Sequence, residues 1–267
     1  MPEQKISIPN RTGKRIVLIV DYDRSDKGLA FVMHGLGGFK EQEQIAVCAQ
    51  AFKEHQLTAV RFDVRNTFGE SEGLYEDANV TNYLEDLEDV IAWAASQPWY
   101  HEPFYLAGQS LGGICVLLYA RAHPLAIKGL APISTVISGE LQLSHASPEE
   151  RKTYEESGWK SVPSVSRPGT FKNLRWHQFA DDILRYDVLP LAPRLRMPVF
   201  LAVGSVDTST PAAEQRLLFE RLTCAKELHI IEGAPHVLRT PDHLLQFKGL
   251  LSAWVGNVES GVLRTHL

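Results

Sequence analysis

The residues best placed to do chemistry lie in Gly108-Gln109-Ser110-Leu111-Gly112-Gly113. Between a strand and a helix, G-x-S-x-G forms a sharp turn that lifts the serine hydroxyl clear of the backbone. Glycines two before and two after the serine leave room where a Cβ would strike neighbouring backbone. Ser110 is therefore the candidate nucleophile. A serine hydroxyl is a poor nucleophile near neutral pH; it needs a base, and the base needs a carboxylate to orient it. His236, in Glu232-Gly233-Ala234-Pro235-His236, follows an apolar run that reads as a strand, and so does Asp207, in Gly204-Ser205-Val206-Asp207. Nucleophile, acid and histidine then come in the chain order that accompanies this turn on an open α/β sheet. Acyl transfer also needs N–H donors for an oxyanion. The expected donors are the backbone amides of Leu111 and of Leu36, the latter in His34-Gly35-Leu36-Gly37-Gly38.

Plainer readings compete. A serine in a Gly-rich turn can simply cap a helix, and Asp207 can serve the turn before Thr210-Pro211. An acid could instead come from the loop after Ala131, but the first carboxylate there is Glu140. His55, His101, His123 and His145 fall at helix ends or in loops that read as exposed. His177, in a long insertion, reads as a packing residue or, second to that, as a substrate contact, while His229 and His243 fall inside a strand and a helix. His236 alone combines the chain order with a loop after a strand. No residues show metal-ligand spacing, so neither a metal nor a cofactor is expected.

Short β-branched runs alternate with longer helical patterns along the chain, the signature of βα units feeding a mainly parallel sheet. Strands are expected at residues 6–8, 15–20, 29–33, 59–62, 104–106, 127–130, 199–203 and 227–231, about eight in all. Residues 80–95 read as an amphipathic helix, with Val80, Leu84, Leu87, Ile91 and Ala94 inward and Glu85, Asp86, Glu88 and Asp89 mostly outward. Residues 111–122 read as a buried helix ended by Pro124. Thr210-Pro211 and Thr240-Pro241 each place an N-cap residue before a proline at the first helical position. The stretch from about 136 to 186 is far longer than a crossover needs. Ser147-Pro148-Glu149-Glu150 looks like a capping box within it, and residues 161–170 carry turn signals. Its aromatics Tyr154, Trp159, Phe171, Trp176 and Phe179 favour an ordered cap over the functional edge. The expectation is one α/β domain over 1–267 with a cap at about 136–186.

A formal net charge of −5 over 267 residues, with scattered Lys and Arg, argues against a nucleic-acid partner. Three widely spaced cysteines argue against a disulfide framework. No apolar run is long enough to span a bilayer, and MPEQKISIPN has no secretory h-region; a cytoplasmic location is expected.

HGLGG, the segment Arg61-Phe62-Asp63-Val64-Arg65-Asn66-Thr67-Phe68-Gly69-Glu70-Ser71-Glu72-Gly73, GQSLGG, GSVD and GAPH occur in the order seen in α/β hydrolases. The chain resembles serine esterases of that fold, in particular cinnamoyl (feruloyl) esterases and monoacylglycerol-lipase-like hydrolases. It departs from them at Arg65-Asn66-Thr67-Phe68-Gly69 and in having Gln109 where a histidine often precedes the nucleophile. The resemblance implies a Ser110–His236–Asp207 triad, oxyanion donors at Leu36 and Leu111, and a small-molecule ester as substrate. In such esterases cap aromatics line the acyl pocket, which singles out Trp159, Phe171 and Trp176. The rival readings are a thioesterase, amidase or C–C hydrolase on the same triad, or a binding protein that has lost turnover.

Overall fold

The computed structural model describes residues 3–22, 27–163 and 169–263. Its centre is an eight-stranded sheet made of β1 (Gln4–Pro9), β2 (Arg15–Asp21), β3 (Leu29–Met33), β4 (Thr58–Phe62), β5 (Phe104–Gln109), β6 (Ile127–Ile133), β9 (Val199–Gly204) and β10 (Lys226–Ile231). The spatial order is β1-β2-β4-β3-β5-β6-β9-β10. β2 runs antiparallel to both its neighbours, and every pairing from β4 to β10 is parallel. This is the α/β-hydrolase fold, with the mainly parallel sheet expected from the sequence.

Burial on both faces explains why the inner strands read as unbroken apolar runs. On one face Val32, Ala107, Ala131 and Phe200 pack with Phe52 of α1 (Glu43–Lys53) and Trp254 of α8 (Pro241–Glu259). On the other, Phe31, Leu106, Leu130 and Leu201 pack with Leu87 of α2 (Val80–Ala94), Ile114 of α3 (Leu111–Ala122) and Leu218 of α7 (Ala212–Arg221).

Register decides where the loops emerge. Met33 stands opposite Gly108, Gln109 opposite Ile133, Ile133 opposite Ala202, and Gly204 opposite Ile231. The carboxyl ends of β3, β5, β6, β9 and β10 are therefore close to level, and the loops leaving them share one rim, where open α/β sheets build their sites.

Between β6 and β9 the chain forms α4 (Gly139–Ser144), α5 (Pro148–Ser157), a hairpin of β7 (Trp159–Pro163) and β8 (Phe171–Arg175), and α6 (Trp176–Ile183). The capping box at Ser147 and Glu150 is present at the start of α5. The expected turn at 161–170 falls largely on residues 164–168, outside the described residues. The inserted segment is tied to α2: Asp182 accepts from the Thr81 N–H at 3.0 Å and from the Thr81 hydroxyl. Arg175 pairs with Asp77 at 3.0 Å and with Glu76.

Two sequence readings need correction. Thr240 caps α8 as expected, accepting from the His243 N–H, but Pro211 rather than Thr210 is the N-cap of α7. The Thr210 hydroxyl is engaged elsewhere, by a carboxylate three residues back. Asp86 faces inward with no exposed surface. It accepts from Asn10 at 2.9 Å and from the Arg65 N–H, and pairs with the Arg65 guanidinium at 3.1 Å. Burial pushes its carboxyl up to about 6 against the pull of Arg65. Helical periodicity places this residue on the polar face, whereas the charges it serves come from loops distant in sequence.

Asp86→Ala leaves the Asn10 amide and the Arg65 N–H without their acceptor, while Glu85 still pairs with the Arg65 guanidinium. It is expected to lower stability by about 1–3 kcal/mol in urea unfolding. Glu88→Ala, which breaks only an exposed pair with Arg11, is expected to cost at most about 1 kcal/mol.

Candidate active site

Ser110 sits between the end of β5 and the start of α3 with φ 55° and ψ −115°. That conformation is unfavourable for a residue with a Cβ, at a cost of about 1–3 kcal/mol, and it persists because its surroundings fix it. A Cβ at Gly108 would lie 2.3 Å from the Gly112 carbonyl oxygen, and one at Gly112 would lie 2.5 Å from that of His34. The two glycines thus let α3 close onto β5 and β3, and the serine is held at the bend. A Cβ at Gly35 would lie 2.8 Å from that of Ser110, so the loop after β3 packs directly on the serine.

Three distant stretches meet here. Ser110 Oγ is 3.0 Å from His236 Nε2, and His236 Nδ1 is 2.9 Å from Asp207 Oδ2. The sequence-derived residues are brought together, with the imidazole bridging hydroxyl and carboxylate. The alternative acid, Glu140, is exposed at the start of α4.

Asp207 has no exposed side-chain surface. Its Oδ1 accepts from the N–H groups of Ser209 at 2.8 Å and Thr210 at 2.9 Å, and its Oδ2 from the Thr210 hydroxyl at 2.9 Å. Burial pushes this carboxyl up, but the His236 hydrogen bond and charge, with the two N–H groups, outweigh it and hold the group below its ordinary value. An aspartate accepting from the N–H groups two and three residues ahead is an Asx-type turn, a local signal that Asp207-Thr208-Ser209-Thr210 carried from the start.

The loop carrying Leu36 has its own buried anchor in His34. The His34 Nδ1–H donates to the Gly35 carbonyl at 2.8 Å, and Nε2 accepts from the Val64 N–H at 3.3 Å. Burial lowers its basicity despite the nearby Asp63 carboxylate, and the Val64 N–H, which needs an acceptor, selects this tautomer. Sequence reasoning passed over His34 because it sits among glycines that appeared to explain the loop alone. It also assigned no role to Gln109, whose amide lies 3.4 Å from both the His236 carbonyl and Nε2.

Next to this loop, Lys40 is wholly buried, with Nζ 2.7 Å from Asp63, 2.6 Å from Glu70 and 2.9 Å from Glu41. Burial opposes its charge, but these contacts more than compensate and raise its pKa. The three carboxylates lie close enough together to hold a cation, and the lysine ammonium is that cation.

Two pockets open beside Ser110. The first is mainly apolar, with Leu111, Val136, Leu143, Trp176 and Phe179 in its wall and Lys160 among them. The second, larger one is also mainly apolar, with Val162, Pro163 and Val237 beside the glycines of the 34–38 loop, and is bordered by His236, Lys172 and Arg239. Leu36 and Ser209 line both. Of the three aromatics singled out from the sequence, Trp176 lines a pocket. Trp159 stacks beneath the Arg175 guanidinium instead, and Phe171 is 63% exposed. His177 is exposed, with Nε2 3.2 Å from the Glu155 carbonyl. No helix among the described residues is long and apolar enough to cross a membrane.

Residues 24–161 match the family model described as serine aminopeptidase, S33. No curated protein matches the chain. Among solved structures, Est1E from Butyrivibrio proteoclasticus with ferulic acid bound superposes with TM-score 0.80 at 19% identity, covering 96% of this chain and 99% of that one. Alpha/beta hydrolase domain-containing protein 10 from mouse gives 0.78 at 17%, covering 96% and 99%. The alpha/beta hydrolase GrgF from Penicillium sp. sh18 gives 0.74 at 19%, covering 97% and 99%. At these identities the likeness is one of fold.

A carboxylate whose pKa is depressed by folding stabilises the protein above its unfolded pKa, and that contribution is lost as pH falls through the folded value. Thr210→Val removes one donor and should bring the Asp207 pKa back toward the ordinary value. The acid-unfolding midpoint is then expected at higher pH than in the wild type, measured by circular dichroism across an acid titration.

Proposed function

On the premise that the chain belongs to the serine aminopeptidase, S33, family of hydrolases, we propose that it cleaves carboxylic esters through an acyl-enzyme on Ser110. The observation that carries this reading is the unbroken contact from the Ser110 hydroxyl through His236 to buried Asp207, opening onto two pockets. In the proposed mechanism His236 Nε2 takes the Ser110 proton as Oγ attacks the ester carbonyl. Asp207 holds the Nδ1–H tautomer and stabilises the imidazolium. The tetrahedral oxyanion is held by the backbone N–H groups of Leu36 and Leu111. Leu111 is the first residue of α3, and the first amides of a helix have no intrahelical acceptor. Collapse expels the alkoxide, which takes the proton from His236, and water activated by the same imidazole then releases the acid. The inserted residues 136–186 act as a cap, with Trp176, Phe179 and Leu143 forming the wall of an acyl pocket.

One observation favours an ester over the peptide that the family description suggests. An aminopeptidase must bind the α-ammonium of its substrate, yet among the described residues no Asp or Glu lines either pocket. The charged groups that do line them, Lys160, Lys172 and Arg239, are all cationic. An ammonium would be repelled.

Ser110→Ala is expected to lower kcat by about 10⁴- to 10⁶-fold with an unchanged melting temperature, and to abolish labelling by a fluorophosphonate. Retention of most activity would sink the assignment. A panel of hydroxycinnamoyl, short aliphatic and monoglyceride esters, set against matched thioesters, amides and aminoacyl anilides, is expected to show turnover of esters first. The ester rate should rise from acid to neutral pH, because only neutral imidazole accepts the proton. A flat profile over that range would contradict the role given to His236.

A further inference from the structure

The two pockets at Ser110 are both mainly apolar but are bordered by different residues, and the proposed mechanism gives them different occupants. His236 must hand its proton to the departing oxygen, so the leaving group lies on the side of Ser110 that His236 borders. That is the larger pocket, where Lys172 and Arg239 reach the wall. The pocket with Trp176 and Phe179 is left for the acyl chain.

Lys172 lies on β8 and is half-buried. Its ammonium stands 5.5 Å over the ring of Phe68, and that ring stacks on Tyr75 with centroids 4.5 Å apart. Both rings pack against Gly37, in the loop beside Ser110. Phe68 belongs to the Arg65–Gly69 stretch in which this chain departs from the esterases it resembles, and its ring lies against a cation that lines the pocket. Arg239 approaches from the loop after His236. The two cations repel one another, and burial together with this repulsion pulls the Lys172 pKa down. Among the described residues, neither makes a salt bridge to a carboxylate, and the pocket wall contains none. Lys40, Arg61 and Arg65 have carboxylate partners, whereas Lys172, like Lys160 in the other pocket, has none among the described residues. Lys172 is half-buried and Arg239 exposed at the same pocket wall, and an anion entering that pocket relieves their mutual repulsion.

We infer that Lys172 and Arg239 form an anion subsite for the leaving group, so that the preferred substrates are esters whose alcohol or phenol portion carries a carboxylate or a phosphate. This rests on the ester-hydrolase reading above and narrows it. An anion bound there is held by charge-assisted hydrogen bonds from the lysine ammonium and the arginine fork, away from the reacting carbonyl. The subsite therefore selects the leaving group and leaves the acyl chain to the other pocket.

The test compares phenyl butyrate, 3-carboxyphenyl butyrate and 3-phosphonooxyphenyl butyrate, each rate divided by the ester's own rate with hydroxide to remove intrinsic reactivity. Wild-type kcat/KM is expected to favour at least one anionic ester by about tenfold over the neutral one, and the preferred arm distinguishes carboxylate from phosphate. In Lys172→Gln/Arg239→Gln the ratio of anionic to neutral kcat/KM should fall about tenfold, and in Lys172→Glu/Arg239→Glu it should invert. The wild-type preference should also shrink as salt rises. Working with ratios makes the readout independent of any general loss of activity in a variant. Turnover of all three esters without preference, or a preference unchanged in both variants, would overturn the anion subsite and leave the serine-hydrolase reading standing. No turnover of any ester, with no fluorophosphonate labelling of Ser110, would overturn that reading and this inference together.

Discussion

A carboxylate without solvent is costly to bury, and at Asp207 the cost is met by its own loop. Its side chain takes two backbone N–H groups and a hydroxyl from Ser209 and Thr210, which leaves one direction for the imidazole of His236. A charge held on so many sides does not swing, and the ring it faces is fixed in tautomer and in angle. Everything else at the rim is arranged around that fixed line. Ser110 meets its far end from a strained turn, and the loop bearing Leu36 packs on Ser110 through Gly35.

The same device recurs wherever a loop of the site has to be held. His34 pins the loop after β3 through the Gly35 carbonyl and the Val64 amide. Lys40 joins that loop to Asp63 and Glu70, and Asp86 joins the neighbouring loop to α2 through Arg65. Loops lack the repeating hydrogen bonds of helices and sheets, so each needs buried polar ties of its own to have a defined shape. The apolar layers on the two faces of the sheet make the frame stable, and these few polar contacts make its rim specific.

The frame was legible because it depends on periodicity and chain order. The strands at residues 29–33 and 199–203, the buried helix at 111–122 and the capping box at Ser147 all follow from local pattern. So does the placing of Ser110, Asp207 and His236 after strands, since level parallel strands leave their following loops on one edge. What escaped the sequence was set by contacts between distant segments. Asp86 reads as a surface residue until Asn10 and Arg65 are seen to reach it. Thr210 reads as a helix cap until its hydroxyl is found on Asp207. The β7–β8 hairpin is short, charged and only partly buried, so it carries little of the alternation that marks a strand. The pocket cations Lys160 and Lys172 belong to that hairpin and stayed hidden with it.

β10 is one of the two edge strands of the sheet, paired to β9 on one side only. The loop that bears His236 hangs from this margin, whereas Ser110 grows from β5, with strands on both sides. Margins of a sheet open locally at lower free energy than its middle. A brief detachment of β10 would carry the imidazole away from a serine still seated at its bend, so the hem of the sheet can part these two side chains without the whole molecule unfolding.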